Sequence, residues 1–208
     1  MTNKPIIMIG NGGHASVLTE ILLQQKRNFK GFTAPQDQKN RFNLPYLGED
    51  KAIYKYHPDE IELVLGIGSI NVSRKREEIF EQYKQHGFFF ASVIHNSAII
   101  SPTVKIGEGL QIMANVVIQP FVEIDDNTII NTSTSIDHDC RIGKHCHLAP
   151  GSILSGNVSI GNSTHVGTGS NFIQNIKIGN YVLIGAGSLV ITSINDNCKA
   201  YGVPAKEV

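Results

Sequence analysis

Every sixth position from Ile94 to Val190 is aliphatic or Phe, without a slip. The series opens Ile94, Ile100, Ile106 and Ile112, passes through Leu148, Leu154, Ile160, Val166 and Phe172, and closes Ile178, Ile184 and Val190. Helices need apolar spacing near 3.6 and ordinary strands near 2, so a period of about six over half the chain marks a repeat architecture. Four residues after each large side chain, Leu110 excepted, stands a small or β-branched one, among them Ala98, Val104, Thr128, Thr134, Cys140, Cys146, Ser152, Thr164 and Ser188. Each hexad reads as a short strand and a turn, and three hexads close one triangular coil, with both registers pointing inward. Gly, Asn and Asp gather at the second to fourth places, as at Asp125-Asp126-Asn127 and Ile160-Gly161-Asn162, and tolerate the conformations of a corner. Stacked coils pair as parallel strands around a core that no single coil could bury. The seventeen hexads make five to six coils. At ~4.8 Å per layer the prism is roughly 27 Å tall.

Residues 1–93 follow a different pattern, and the expected domains are 1–93 and 94–208. Pro5 to Ile9 is a buried-strand run, Gly10-Asn11-Gly12-Gly13-His14 a glycine-rich turn, and Ala15 to Leu23 a helical stretch. Phe29 to Thr33 reads as a second strand and Leu63 to Gly68 as a third with another glycine turn. Val72 to Gln85 reads as an amphipathic helix, and Phe88 to Val93 as a last strand leading into the prism. The result is a small parallel α/β domain of Rossmann-like βαβ units, followed by a parallel β-helix. Its first turn presents backbone N–H groups and a helix N-terminus where an anion could sit. The alternative is that the glycines serve only the turn. A dinucleotide reading has weak support: Gly10-x-Gly12-x-x-Ala15 fits the degenerate fingerprint, but Thr33-Ala34-Pro35-Gln36 stands where an acid should meet the ribose, with Asp37 a little later. The stretch from Pro35 to Pro58 reads as a surface excursion without chemical signal.

Composition narrows the classes. Basic and acidic side chains balance at 18 each, which gives no support to nucleic-acid binding. No apolar run reaches the length of a membrane span, and Met1-Thr2-Asn3-Lys4 leads into a strand rather than a signal peptide. An odd, sparse set of cysteines (Cys140, Cys146 and Cys198) points to a reducing compartment, hence the cytoplasm.

Histidine crowds the segment from Asp137 to His147. Read linearly, Cys140, Cys146 and three histidines suggest zinc. The hexad register turns both cysteines inward and the imidazoles outward, so they cannot converge on one ion and no metal is expected. His138 takes the third place of its hexad, at an outward corner between Asp137 and Asp139. A carboxylate there would hold one imidazole nitrogen as N–H and leave the other free to accept a proton. From periodicity alone a solvated turn histidine is the favoured reading. His147 and His165, one coil apart, form either a substrate wall or a polar ladder.

Over essentially its whole length the chain resembles the left-handed β-helix acyltransferases of the bacterial sialic acid O-acetyltransferase group. Within that group it looks most like nucleotide-sugar N-acetyltransferases that modify a 4-amino-4,6-dideoxy hexose. The resemblance rests on the Gly10 to His14 loop, Asn131-Thr132-Ser133, Asp137-His138-Asp139-Cys140, the unbroken hexads and the closing Gly202-Val203-Pro204-Ala205-Lys206. It implies a left-handed coil, a homotrimer with active sites between neighbouring prisms, acetyl-CoA along the coils and a nucleotide gripped by the N-terminal domain. His138 matches the family's general base and Asp139 the carboxylate that orients it. His147 matches a second histidine near the thioester. Gly156, Gly167, Thr168, Gly185 and Ala186 match the acetyl-CoA track. Asn11, Gly12, Gly13, His14, Gly68, Ser69 and Asn131 match positions toward the nucleotide sugar. The family usually carries one or two aspartates after the second strand, and Thr33-Ala34 departs from this. The resemblance and that departure together favour dTDP-4-amino-4,6-dideoxyglucose (dTDP-viosamine) as acceptor, for O-antigen or other surface polysaccharide. The alternatives are a UDP-linked 4-amino sugar of the bacillosamine type, O-acetylation of sialic acid, and a non-catalytic scaffold.

Overall fold

The computed structural model describes residues 4–69, 71–72 and 74–208. The chain divides into two compact units: residues up to Gly68 with Glu78–Val93, and Ser69–Glu77 with Ile94–Val208. The division differs from a cut at residue 93 in that Ser69–Glu77 groups with the second unit. The sequence reading of Met1 to Asn3, and of Ser73 within the second helix, lies outside the described residues.

In the first unit, β1 (Ile6–Ile9) sits at the centre of a parallel sheet between β2 (Phe29–Thr33) and β3 (Glu62–Leu65). Every residue of β1 and β3 is buried, as strands of a covered parallel sheet should be, and the one charged member, Glu62, pairs with Arg27. Helix α1 (Gly13–Gln24) buries Ala15, Leu18, Ile21 and Leu22. Helix α2 (Lys75–Gln85) begins three residues later than its pattern suggests. The strand expected at Phe88 to Val93 is reduced to a bridge between Phe90 and Leu63, plus Val93–Ile94, which opens the prism. The excursion after Pro35 is ordered: Tyr46 bridges Phe32 at the open edge of β2, and a short 3-10 helix follows at Asp50–Lys55.

The second unit is a parallel β-helix. Among the described residues, seventeen two-residue strands run from Val93–Ile94 to Leu189–Val190, and each ends on one of the hexad apolar residues. They fall into three sheets, one per face, with partners eighteen positions apart, such as His147 with His165 and Ile153 with Asn171. From Gly109 to Gly187 every sixth residue has positive φ, including Asn115, Asn127, Asp139, His145 and Asn157. The fourth place of the hexad is therefore the left-handed corner. Gly, Asn and Asp suit it at lowest cost, and Phe121 and Tyr181 are held there against their intrinsic preference.

The fifth-place hydroxyls point inward and are satisfied. Thr128 Oγ1 donates to the Gly143 carbonyl at 2.9 Å and accepts the Cys146 N–H at 3.0 Å. Thr164 repeats this with Gly179 and Val182 one coil up. The first coil departs from the inward rule: Ile100 is half-buried and Ile106 is 44% exposed, because no coil lies beneath to cover them. At the other end, Lys199–Gly202 continues the first face and pairs antiparallel with Ala205–Glu207. This hairpin occupies the upper edge of that sheet.

Candidate active site

His138 and Asp139 occupy the third and fourth places of one corner. Asp139 adopts φ 61°, which a short polar side chain tolerates. Its Oδ2 lies 2.7 Å from His138 Nδ1. The His138 backbone N–H donates to Asp137 Oδ1 at 2.8 Å, which fixes the preceding bend. A carboxylate accepts, so Nδ1 carries the proton and Nε2 presents its lone pair outward. The hydrogen bond to Asp139 holds the imidazole above its ordinary value; desolvation opposes it, and the charges of Asp137 and Asp139 add to it. Both side chains are more than half exposed. The ring rests on Gly156, one coil up, where a Cβ would come within 2.7 Å of Cε1 and Nε2. Gly156 thus makes room for the His138 ring, whatever else it meets. Its N–H has no protein acceptor among the described residues.

His138 lies at the corner between the second and third faces. The groove that gathers most of the expected acetyl-CoA positions runs along the first face and its following edge, and His138 is not among its walls. It holds about 420 Å³ and is lined by His147, His165, Gly167, Thr168, Gly185, Ala186, Ser69 and others. Thr168 and Ala186 stand one above the other at third places, and neither N–H has a protein acceptor among the described residues. Gly167 and Gly185 have packing reasons of their own: a Cβ at Gly167 would meet Ala186 N at 2.5 Å, and one at Gly185 would overlap the Tyr201 ring.

His147 and His165 stack as their spacing predicts, ring centroids 4.9 Å apart and edge to face. They are not a solvent-facing ladder, for each is more than nine-tenths buried. His147 Nδ1 lies 2.9 Å from the Ser69 carbonyl, which can only accept, so Nδ1 carries a proton; Ser69 Oγ is 3.0 Å away. Asn131 Oδ1 accepts the Thr132 N–H at 2.8 Å, so its Nδ2 faces His147 Nε2 at 3.1 Å and donates to it. Both nitrogens of His147 are therefore engaged within the protein. His165 differs: its buried Nδ1 has no partner among the described residues, and burial lowers its pKa, keeping it neutral.

The residues expected at the nucleotide end divide. Asn11, Gly12, Gly13, His14 and Gly68 meet in the first unit at the ends of β1 and β3, with Gly68 against His14. Gly10, at φ 102°, is the residue the turn requires. A Cβ at Gly12 or Gly13 would meet nothing within 4 Å and neither has positive φ, so the turn does not account for those two. Gly12 provides no side-chain cap to α1. Ser69 and Asn131 instead flank His147 in the second unit.

Two features escaped the sequence. Asn40, nearly buried, donates to Asn11 Oδ1 at 2.8 Å and so ties the supposed excursion to the glycine-rich turn. An acid also reaches the end of β2: Asp50, from the 3-10 helix, accepts from Thr33 Oγ1 at 2.7 Å. A seventeen-residue separation concealed it, and Thr33, read as a replacement for an acid, is in fact its holder.

Cys140 and Cys146 point inward, with Sγ 3.2 Å from the Ser155 carbonyl and 3.0 Å from the Gly161 carbonyl. Burial pushes their pKa values up to about 11 and about 12, so neither is a thiolate nucleophile. Among the described residues no group of three His, Cys, Asp or Glu side chains is placed to hold a metal ion, and no helix is long and apolar enough to cross a membrane.

Residues 5–83 match the model of the PglD N-terminal domain, and residues 103–138 the bacterial transferase hexapeptide model of six repeats. The whole chain is similar to the acetyltransferase domain of PglB from Neisseria gonorrhoeae FA1090 in complex with acetyl coenzyme A, at 31% identity and TM-score 0.92, with 100% of both chains covered. It is similar to PerB from Caulobacter crescentus in complex with CoA and GDP-perosamine, at 35% identity and TM-score 0.91, covering 100% of this chain and 98% of the other. WeeI from Acinetobacter baumannii AYE shares the fold at 22% identity and TM-score 0.87, with 99% and 100% covered.

Proposed function

The chain belongs to the sialic acid O-acetyltransferase (PglD-like) family of hexapeptide-repeat acyltransferases, and from that premise we propose that it transfers the acetyl group of acetyl-CoA to the C4 amino group of a nucleotide-linked 4-amino-4,6-dideoxy sugar. The observation that carries this reading is the His138–Asp139 pair, an imidazole pinned through Nδ1 with Nε2 free at an exposed corner. A sugar ammonium must lose a proton before its nitrogen attacks a thioester. His138 Nε2 accepts a proton as the C–N bond forms, giving a tetrahedral oxyanion, and the C–S bond then breaks to release CoA. A backbone N–H stabilises the oxyanion, and that of Gly156, against the His138 ring, is the candidate. No acyl-enzyme is needed, and the buried thiols could not form one.

The first-face groove is the candidate bed for acetyl-CoA, supported by the stacked N–H groups of Thr168 and Ala186. His138 and the groove lie at different corners of one prism. A homotrimer would bring the base of one copy to the groove of the next. The outward row of the second face supports such packing, with Ile99 67% and Ile153 47% exposed. The glycine-rich turn, with Gly12 and Gly13 facing open space, is the candidate grip for the nucleotide.

The favoured acceptor is dTDP-viosamine, on the whole-chain resemblance. Asp50 at the end of β2 gives a ribose hydroxyl a carboxylate after all, so a GDP- or UDP-linked 4-amino sugar is the second reading, with PerB as its nearest support. Steady-state assays of the purified protein with acetyl-CoA and dTDP-, UDP- and GDP-linked 4-amino sugars decide between them. The expected order places dTDP first by kcat/KM. A UDP or GDP preference overturns the base assignment, and turnover of free sialic acid alone overturns the amino-sugar reading.

A further inference from the structure

The groove on the first face contains two imidazoles, and they are not equivalent. His147 is used up within the protein: Nδ1–H points to Ser69, and Nε2 accepts from Asn131. His165, its neighbour one coil up, is buried to the same degree, yet its ring makes no hydrogen bond among the described residues. Its Nδ1 is sealed without a partner, and its Nε2 is the ring nitrogen left toward the groove. A neutral imidazole keeps its proton where it can be solvated, so Nε2 is the N–H and a donor into the groove. Thr168 and Ala186 offer their unpartnered N–H groups along the same groove, one coil apart. The groove thus presents donors in sequence and, at His165, a side chain whose hydrogen-bonding capacity the protein leaves unused. Such a surface fits an extended ligand with carbonyl oxygens at intervals.

We propose that His165 positions the pantetheine arm of acetyl-CoA, its Nε2–H donating to an amide carbonyl of that arm, with His147 as the strut that fixes the ring edge-on. The proposal rests on acetyl-CoA occupying this groove. It gives His165 a binding role, separate from the proton transfer at His138. The interaction is with the arm rather than the acetyl group, so CoA and acetyl-CoA should depend on it alike.

The test is calorimetric titration of CoA and of acetyl-CoA into the purified wild-type protein, His165→Leu and His165→Gln, with steady-state kinetics alongside. His165→Leu should weaken both ligands by about tenfold and raise KM for acetyl-CoA by a like factor, with kcat within about threefold. His165→Gln, which keeps a donor, should recover most of the loss. If His165→Leu proves unstable, His165→Met, which also lacks a donor, takes its place: a tenfold loss supports the proposal and wild-type-like affinity overturns it. Unchanged CoA affinity in His165→Leu, or a fall in kcat with affinity intact, overturns the arm contact while leaving the cofactor reading standing. A wild-type protein that binds neither ligand overturns both.

Discussion

His138 depends on the backbone of its neighbour. Asp139 sits in the left-handed corner, so its carboxylate turns back toward the adjacent imidazole instead of along the coil. The pair was legible from sequence because the hexad register gives every residue a direction. What the register could not show was the fate of His147, because Ser69 reaches it from 78 residues away. The Asp139 hydrogen bond raises the His138 pKa, and His138 in the proposed role of base accepts a proton only when deprotonated. Turnover should therefore fall as pH drops through that raised value. Asp139→Asn should shift the acid limb of the kcat profile to lower pH, because the imidazolium loses its stabilising charge, and should lower kcat on the plateau by about tenfold. An acid limb that stays in place in the variant would remove Asp139 from the orienting role.

The repeated hexad makes one element do two jobs, and glycines show the difference. Gly161 lies under the next coil, where a Cβ would meet Gly179 C at 2.6 Å and Asn180 N at 2.7 Å. Gly156 stands at a corner where the obstructed group is the exposed His138 ring. Gly161→Ala should destabilise the fold by about 1–3 kcal/mol. Gly156→Ala should leave the melting temperature within about 2 °C while reducing kcat tenfold or more, because a ring displaced by about 1 Å no longer meets its substrate. Thermal melts and kcat for the two variants check this, and a Gly156→Ala enzyme with wild-type turnover would contradict it. Elements of strong period were the most readable: all the prism strands end where the hexads place them. Phe88 to Val93 misled because an apolar run says nothing of how much of it pairs. Pro35 to Pro58 misled because the hydrogen bonds of Asn40 and Asp50 are tertiary and leave no local pattern.

Across the whole molecule, the prism separates the two halves of the chemistry. The proposed base, His138, lies between the second and third faces and the groove on the first, while the second face exposes Ile99 and Ile153. In a cyclic assembly each proposed site would draw on two copies. Copies carrying His138→Ala should lose about 10²–10⁴-fold in turnover. Copies carrying Ala186→Trp, which fills the groove, should lose acetyl-CoA binding with the base intact. The decisive measurement is the acetylation rate of an assembly formed from equal amounts of the two inactive chains. If sites are shared, about one in four combines an intact base with an intact groove, and activity should return to about a quarter of wild type. If each chain built its site alone, every site would carry one defect and the mixture would stay inactive.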